Sequence, residues 1–137
     1  MNTWFWYLLG AAVLAGIIEA MFSRRLPKCY RRRSCMGRSW RDRFPLASKS
    51  DIRRFLDIFC EAFLFGGAHR LKFGPDDKVI DIYKALYPSN WVADALETVV
   101  LLRLLEEEYR VEFPESFDQA ECTLGEIFEF VTQKSQQ

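Results

Sequence analysis

Few side chains in this sequence can make or break bonds. His69 is the single histidine among 137 residues. With no second histidine or neighbouring cysteine, it reads as a loop residue rather than a metal ligand or general base. Cys29, Cys35, Cys60 and Cys122 show neither C-x-x-C spacing nor paired histidines, which argues against zinc. Cys60 falls within an apolar helical pattern and reads as a small core residue. Cys29 and Cys35 flank an arginine cluster, where exposed reduced thiols are the simpler reading and reversible acylation the other. Asp76, Asp77 and Asp81 lack the glycine and terminal glutamate of a twelve-residue calcium loop, so helix capping is expected of them instead. No glycine-rich phosphate loop is present, nor a nucleophile beside an acid/base pair. The chain is therefore not expected to be an enzyme, and no metal is expected.

The charges are more informative. Formal net charge is zero, but residues 24–43 are nearly all positive among their ionisable groups and 94–129 nearly all negative. Trp4 to Phe22 is a continuous apolar run whose length, at about 1.5 Å per residue, matches a hydrocarbon core of about 30 Å. It is expected to be a single transmembrane helix over residues 1–23. Trp4, Trp6 and Tyr7 fit an interfacial aromatic belt at its start. Glu19 is expected at the basic end, reaching the interface or pairing with Arg24, and Ala12, Gly16 and Ala20 form a small-residue stripe that would let two such helices dimerise. Arg24, Arg25, Lys28, Arg31, Arg32 and Arg33 follow the run. The positive-inside rule places them, and everything after them, on the cytoplasmic side of an inner or plasma membrane. They are expected to bind anionic lipid headgroups from an extended or poorly ordered basic linker, 24–47, and not nucleic acid.

Residues 48–134 read as an all-α domain. Ser48-Lys-Ser-Asp51 has the form of a capping box, and Ile52, Phe55, Leu56, Phe59, Ala62 and Phe63 follow at helical spacing, predicting a helix from about Lys49 to Phe65 that stops at Gly66-Gly67. Gly74-Pro-Asp-Asp77 signals a turn, and Val79 to Tyr87 fits a short helix or a packed loop. From Asp94 to Tyr109, Leu96, Val99, Val100, Leu101, Leu104, Leu105 and Tyr109 recur as the buried face of a central helix. Glu115 to Glu121 suggests a short helical turn. Thr123-Leu-Gly-Glu126 is a second capping box, opening a last helix with Leu124, Ile127, Phe128 and Val131 on one face. Short loops favour antiparallel neighbours in a small bundle.

Asp94-Ala-Leu-Glu-Thr-Val, Leu104-Leu-Glu-Glu-Glu-Tyr109, Val111-Glu-Phe-Pro114 and Thr123-Leu-Gly-Glu-Ile-Phe-Glu-Phe-Val131 together resemble acyl carrier proteins. The likeness runs without a gap from Asp94 to Val131, with weaker agreement from about Ser50. It implies a helical bundle whose Asp94-to-Tyr109 helix meets basic patches on partner enzymes. It also implies a serine carrying phosphopantetheine at the helix start, but that position is Ala95, which has no oxygen to phosphorylate. Phosphopantetheine is thus not expected at this site. Two further departures are the longer segment from Asp81 to Asp94 and Arg103, where carriers often present an apolar or acidic side chain.

On the resemblance, Asp94, Glu97, Glu106, Glu107, Glu108 and Glu112 are the expected partner-binding groups. The function expected is a membrane-anchored, carrier-like adaptor or regulator of an enzyme or complex of lipid or envelope synthesis, bound through that partner's basic surface. The alternatives are an acyl carrier loaded in a non-standard way and a structural subunit of a membrane complex.

Overall fold

Two side-chain caps set the helices that carry the core. In the computed structural model, whose described residues are 3–22, 26–88 and 96–137 with side chains over 3–18, 26–88 and 96–137, Ser48 Oγ accepts the Asp51 amide at 3.1 Å. Thr123 and Glu126 form a complete reciprocal capping box. The helices are α1 (Thr3–Phe22), α2 (Lys28–Arg31), α3 (Gly37–Arg43), α4 (Lys49–Ala62), α5 (Val79–Leu86), α6 (Leu96–Tyr109) and α7 (Leu124–Ser135), with a 3-10 segment at Gly67–Lys72. Among the described residues there is no strand, only an isolated antiparallel bridge between Lys78 and Thr123. The all-α class expected from the sequence is what the chain adopts.

The expected transmembrane anchor is corrected: among the described residues no helix is long and apolar enough to cross a membrane. The physical reason lies in α1's composition. Its aliphatic and glycine stretch, 8–18, rises about 16 Å at 1.5 Å per residue, roughly half of a hydrocarbon core. The residues before it include the amphipathic Trp4, Trp6 and Tyr7, which favour interfaces over the bilayer interior. The single-pass topology, and the inner- or plasma-membrane placement built on it, fall with it. Glu19, Ala20, Arg24 and Arg25 contribute to that expectation from outside the described side chains.

The segment read as an extended linker is helical and enters the core. Leu26, Tyr30 and Trp40 are buried, and the Trp40 indole N–H donates to the Phe73 carbonyl at 2.8 Å. The Trp40 ring meets Phe44, Phe55 and Phe128 at centroid distances of 5.9, 6.0 and 5.8 Å, joining α3, α4 and α7. A second run of rings, Phe59, Phe63, Phe65 and Phe73, continues the same core. Periodicity misses this because α2 and α3 bury one aromatic each, too few for a helical face to show.

α4 packs against α6 and the 3-10 segment, and α6 against α7. The loop before α5 is pinned to the loop before α7. The amides of Val79, Leu124 and Gly125 donate to the carbonyls of Cys122, Asp77 and Pro75 respectively. A Cβ on Gly125 would meet the Pro75 oxygen at 2.8 Å, so only glycine permits this approach. The short helix expected around 115–121 is instead a series of turns, and the small helix of the bundle is α5, on the other side of α6.

α4 stops before Gly66-Gly67. Leu64, with φ 60, takes the left-handed position. The Phe65 amide donates to Cys60 at 2.8 Å and that of Leu64 to Glu61 at 3.2 Å, a Schellman ending without glycine. Stacking of Phe65 on Phe63 and Phe73 holds the strained residue in place. Leu64 is 46% exposed, so Leu64→Gly relieves the left-handed strain with little loss of burial. It should stabilise the chain by about 1 kcal/mol, read as a rise of several degrees in thermal melting.

Burial also shapes the alkaline limit of stability. The Cys60 thiol is pushed from its ordinary 9.0 to about 12, and the Tyr30 and Tyr109 hydroxyls from 10.0 to about 12, desolvation being the largest cause in each. Between pH 9 and 12 the folded chain keeps protons that the unfolded chain releases, so stability must fall as pH rises. Urea midpoints should decline across that window, and in Cys60→Ala the slope between pH 9 and 10 should flatten; an unchanged slope would contradict the assignment to Cys60.

Candidate interaction surface

α6 turns different residues inward and outward than its apolar pattern suggests. Leu101 and Leu105 are buried as expected, but Leu96 and Val99 are 63% and 57% exposed. The buried side is completed by Glu97 and Thr98. Leu96, Val99, Arg103 and Glu107, spaced by three and four residues, form one outward stripe. Too many apolar residues for one face, 96 to 105, made the inward direction ambiguous in sequence. Packing on α4 and α7 sets its rotation.

The expected partner-binding acids are dispersed. Glu97 is buried and accepts a hydrogen bond from the Tyr87 hydroxyl, so it is a positioning group between α5 and α6. Glu106 is half-buried, and its Oε1 accepts the Phe113 amide at 3.2 Å, holding the loop after α6. Glu107 is exposed and pairs with Arg103 at 3.3 Å one turn away. Glu108 turns back toward α4 and pairs with Arg54. Glu112 is exposed beside Phe113, Pro114 and Lys134. Asp94 and Ala95, the start of the expected central helix, lie outside the described residues. What is brought together on the outward stripe is therefore an apolar pair beside an ion pair, with Glu106 at its edge. Exposed pairs of this kind contribute under about 1 kcal/mol.

The basic residues expected at a lipid surface are likewise divided. Lys28, Arg31 and Arg32 are exposed. Arg33 Nη1 reaches Asp77 Oδ2 at 2.6 Å, and its guanidinium lies 4.9 Å from the Tyr30 ring centroid. The hydrogen bond to Asp77 raises Arg33 above its ordinary value. Arg43 pairs with Asp76 at 2.8 Å. Asp76 and Asp77, read as caps, thus tie the basic segment to the fold. Among the described residues no cluster of histidine, cysteine and carboxylate groups could hold a metal ion. His69 sits exposed in the 3-10 segment.

Tyr109 ends α6 with a buried hydroxyl that has no hydrogen-bond partner among the described residues. Removing it should cost nothing, since a desolvated hydroxyl without a partner opposes folding by about 1 kcal/mol or more. Tyr109→Phe is expected to melt at the same temperature or a few degrees higher; a lower melting temperature would reveal a partner for that oxygen. Compared with known proteins, the chain matches no family model, no curated protein and no solved structure.

Proposed function

We propose that the chain is a non-catalytic, acyl-carrier-like adaptor or regulator that docks a protein partner through the outward stripe of α6. The observation that carries this reading is the exposure of Leu96 at 63% and Val99 at 57% on a helix whose other side is packed. Two large apolar side chains held in water next to Arg103, Glu106 and Glu107 make the core-and-rim composition of a small protein interface. The motifs from Leu96 to Val131 support the carrier likeness, together with the all-α architecture, the Thr123–Glu126 capping box and buried Val111. With alanine at the expected serine position, a phosphopantetheine arm is not part of the mechanism. Recognition rests on the protein surface alone.

The partner's chemistry follows from the stripe: an apolar pocket for Leu96 and Val99, flanked by cations that meet Glu106, Glu107 and Glu112. On the carrier likeness, that partner belongs to an enzyme or complex of lipid or envelope synthesis. The apolar pair would supply most of the affinity, and the acids orientation and rate of encounter.

A photo-crosslinker at Val99 should trap one discrete partner in cells, which mass spectrometry then identifies. With that partner purified, Val99→Asp should weaken binding by about tenfold or more. Joint reversal of Glu106 and Glu107 to lysine should weaken it severalfold and flatten its salt dependence. Binding that is indifferent to both changes would overturn the reading, and an intact mass carrying a phosphopantetheine adduct would replace the adaptor with a working carrier.

A further inference from the structure

A cavity of about 350 Å3 opens between α3 and α4, and it carries a charge pattern of its own. Leu71 and the small exposed part of Ile52 give it an apolar side, above the buried Trp40, and Arg38, Arg41, Lys49 and Arg53 line the rest. Helical spacing explains the convergence. Arg38 and Arg41 are three residues apart on α3, and Lys49 and Arg53 four apart on α4, so each pair shares a face.

No carboxylate lines the cavity. Among the described residues none of the four cations has an ion-pair partner, whereas Arg33, Arg43, Arg54, Arg70 and Arg103 each do. Four unpaired cations on one concave surface focus a positive potential into it. Three are guanidinium forks, whose planar donors match the oxygens of a phosphate bidentately. The apolar wall leaves room beside the charge for a ligand body that is not itself ionic.

We propose that this cavity binds a small organic phosphate, its phosphate held by Arg38, Arg41, Lys49 and Arg53 and its apolar body against Ile52 and Leu71. The volume is at the lower end of small-ligand sites, about 300–1,000 Å3. A polymer's phosphates would call for cations spread along an extended face, and here they line one open concavity between two helices. The site is independent of α6's outward stripe and does not rest on the docking reading.

Titration calorimetry on the full chain tests it, with hexyl phosphate, inorganic phosphate and hexanol as probes. Hexyl phosphate is expected to bind one to one, about tenfold or more tighter than inorganic phosphate, with no heat from hexanol. Arg41→Gln combined with Arg53→Gln should cost about tenfold or more in affinity at unchanged thermal melting, while Arg31→Gln with Arg32→Gln leaves it intact. A second readout needs no variant. Cys35 lines the cavity and Cys29, also exposed, does not, so hexyl phosphate should slow alkylation of Cys35 and leave Cys29 unchanged. Equal affinity for hexyl and inorganic phosphate would reduce the site to a bare anion patch and overturn the proposal. So would equal losses in the two arginine pairs, or a Cys35 that hexyl phosphate does not protect.

Discussion

The hydrogen bond from Trp40 to the Phe73 carbonyl is the constraint on which the rest of this bundle depends. Both groups are fully buried, so breaking the bond would strand a carbonyl in an apolar interior at about 1–3 kcal/mol, besides the packing lost around the largest side chain of the core. The indole also fixes geometry. Its ring touches Phe44, Phe55 and Phe128, and Phe73 in turn meets Tyr30, Phe59 and Phe65. One residue of α3 thereby sets the distance between α4 and α7 and anchors the loop that leads into α5. The same burial places Arg38 and Arg41, on the open side of α3, opposite α4.

The electrostatics follow from that placement. Once α3 is docked, Arg43 falls beside Asp76, and Arg33 beside Asp77. The basic segment is therefore partly neutralised by Asp76 and Asp77, which precede the acidic stretch 94–129 in the chain. This gives the zero net charge a different meaning from two segregated faces. Two of the surface features that remain have a defined shape: four cations around a cavity on one side, and a mixed stripe with two apolar residues on α6. Arg33–Asp77 is the pair worth most of these, because Asp77 is nearly buried and also accepts the Gly74 amide at 2.6 Å. The exposed Arg103–Glu107 pair contributes little by comparison.

How much of this was legible in the sequence depends on whether the deciding contact is local. Ser48 and Thr123 were readable as caps because a side chain bonding an amide three residues on is a matter of spacing alone. The Lys49 start of α4, the Tyr109 end of α6 and the cores of α4 and α7 followed from periodicity. Leu64 was not readable as a helix stop, since sequence favours the glycines two residues later and only stacking of Phe63, Phe65 and Phe73 selects the earlier position. Trp40 was hidden for a similar reason: a lone aromatic among arginines looks like surface until a carbonyl 33 residues away receives its N–H. The acids of α6 were readable as a group but not as a surface. Their separate partners, Tyr87, Phe113, Arg103 and Arg54, come from four different places in the chain.

Arg53 and Arg54 show how the fold keeps its two outward features apart. Consecutive residues on a helix point about 100° away from each other. Arg53 therefore faces the cavity shared with α3 while Arg54 reaches across to Glu108 on α6. Exchanging the roles of these two residues is not open to the chain without rotating α4, and rotation is forbidden by Ile52, Phe55, Leu56 and Phe59, all buried on the side between. The cavity is built on α3 and α4 and the stripe on α6, which packs against α4, and the two share no side chain. Changes at either should combine additively, as is usual for sites without common partners. On the two proposed readings, an anion held at α3 and α4 and a protein held at α6 would occupy the molecule together, without either being needed for the other.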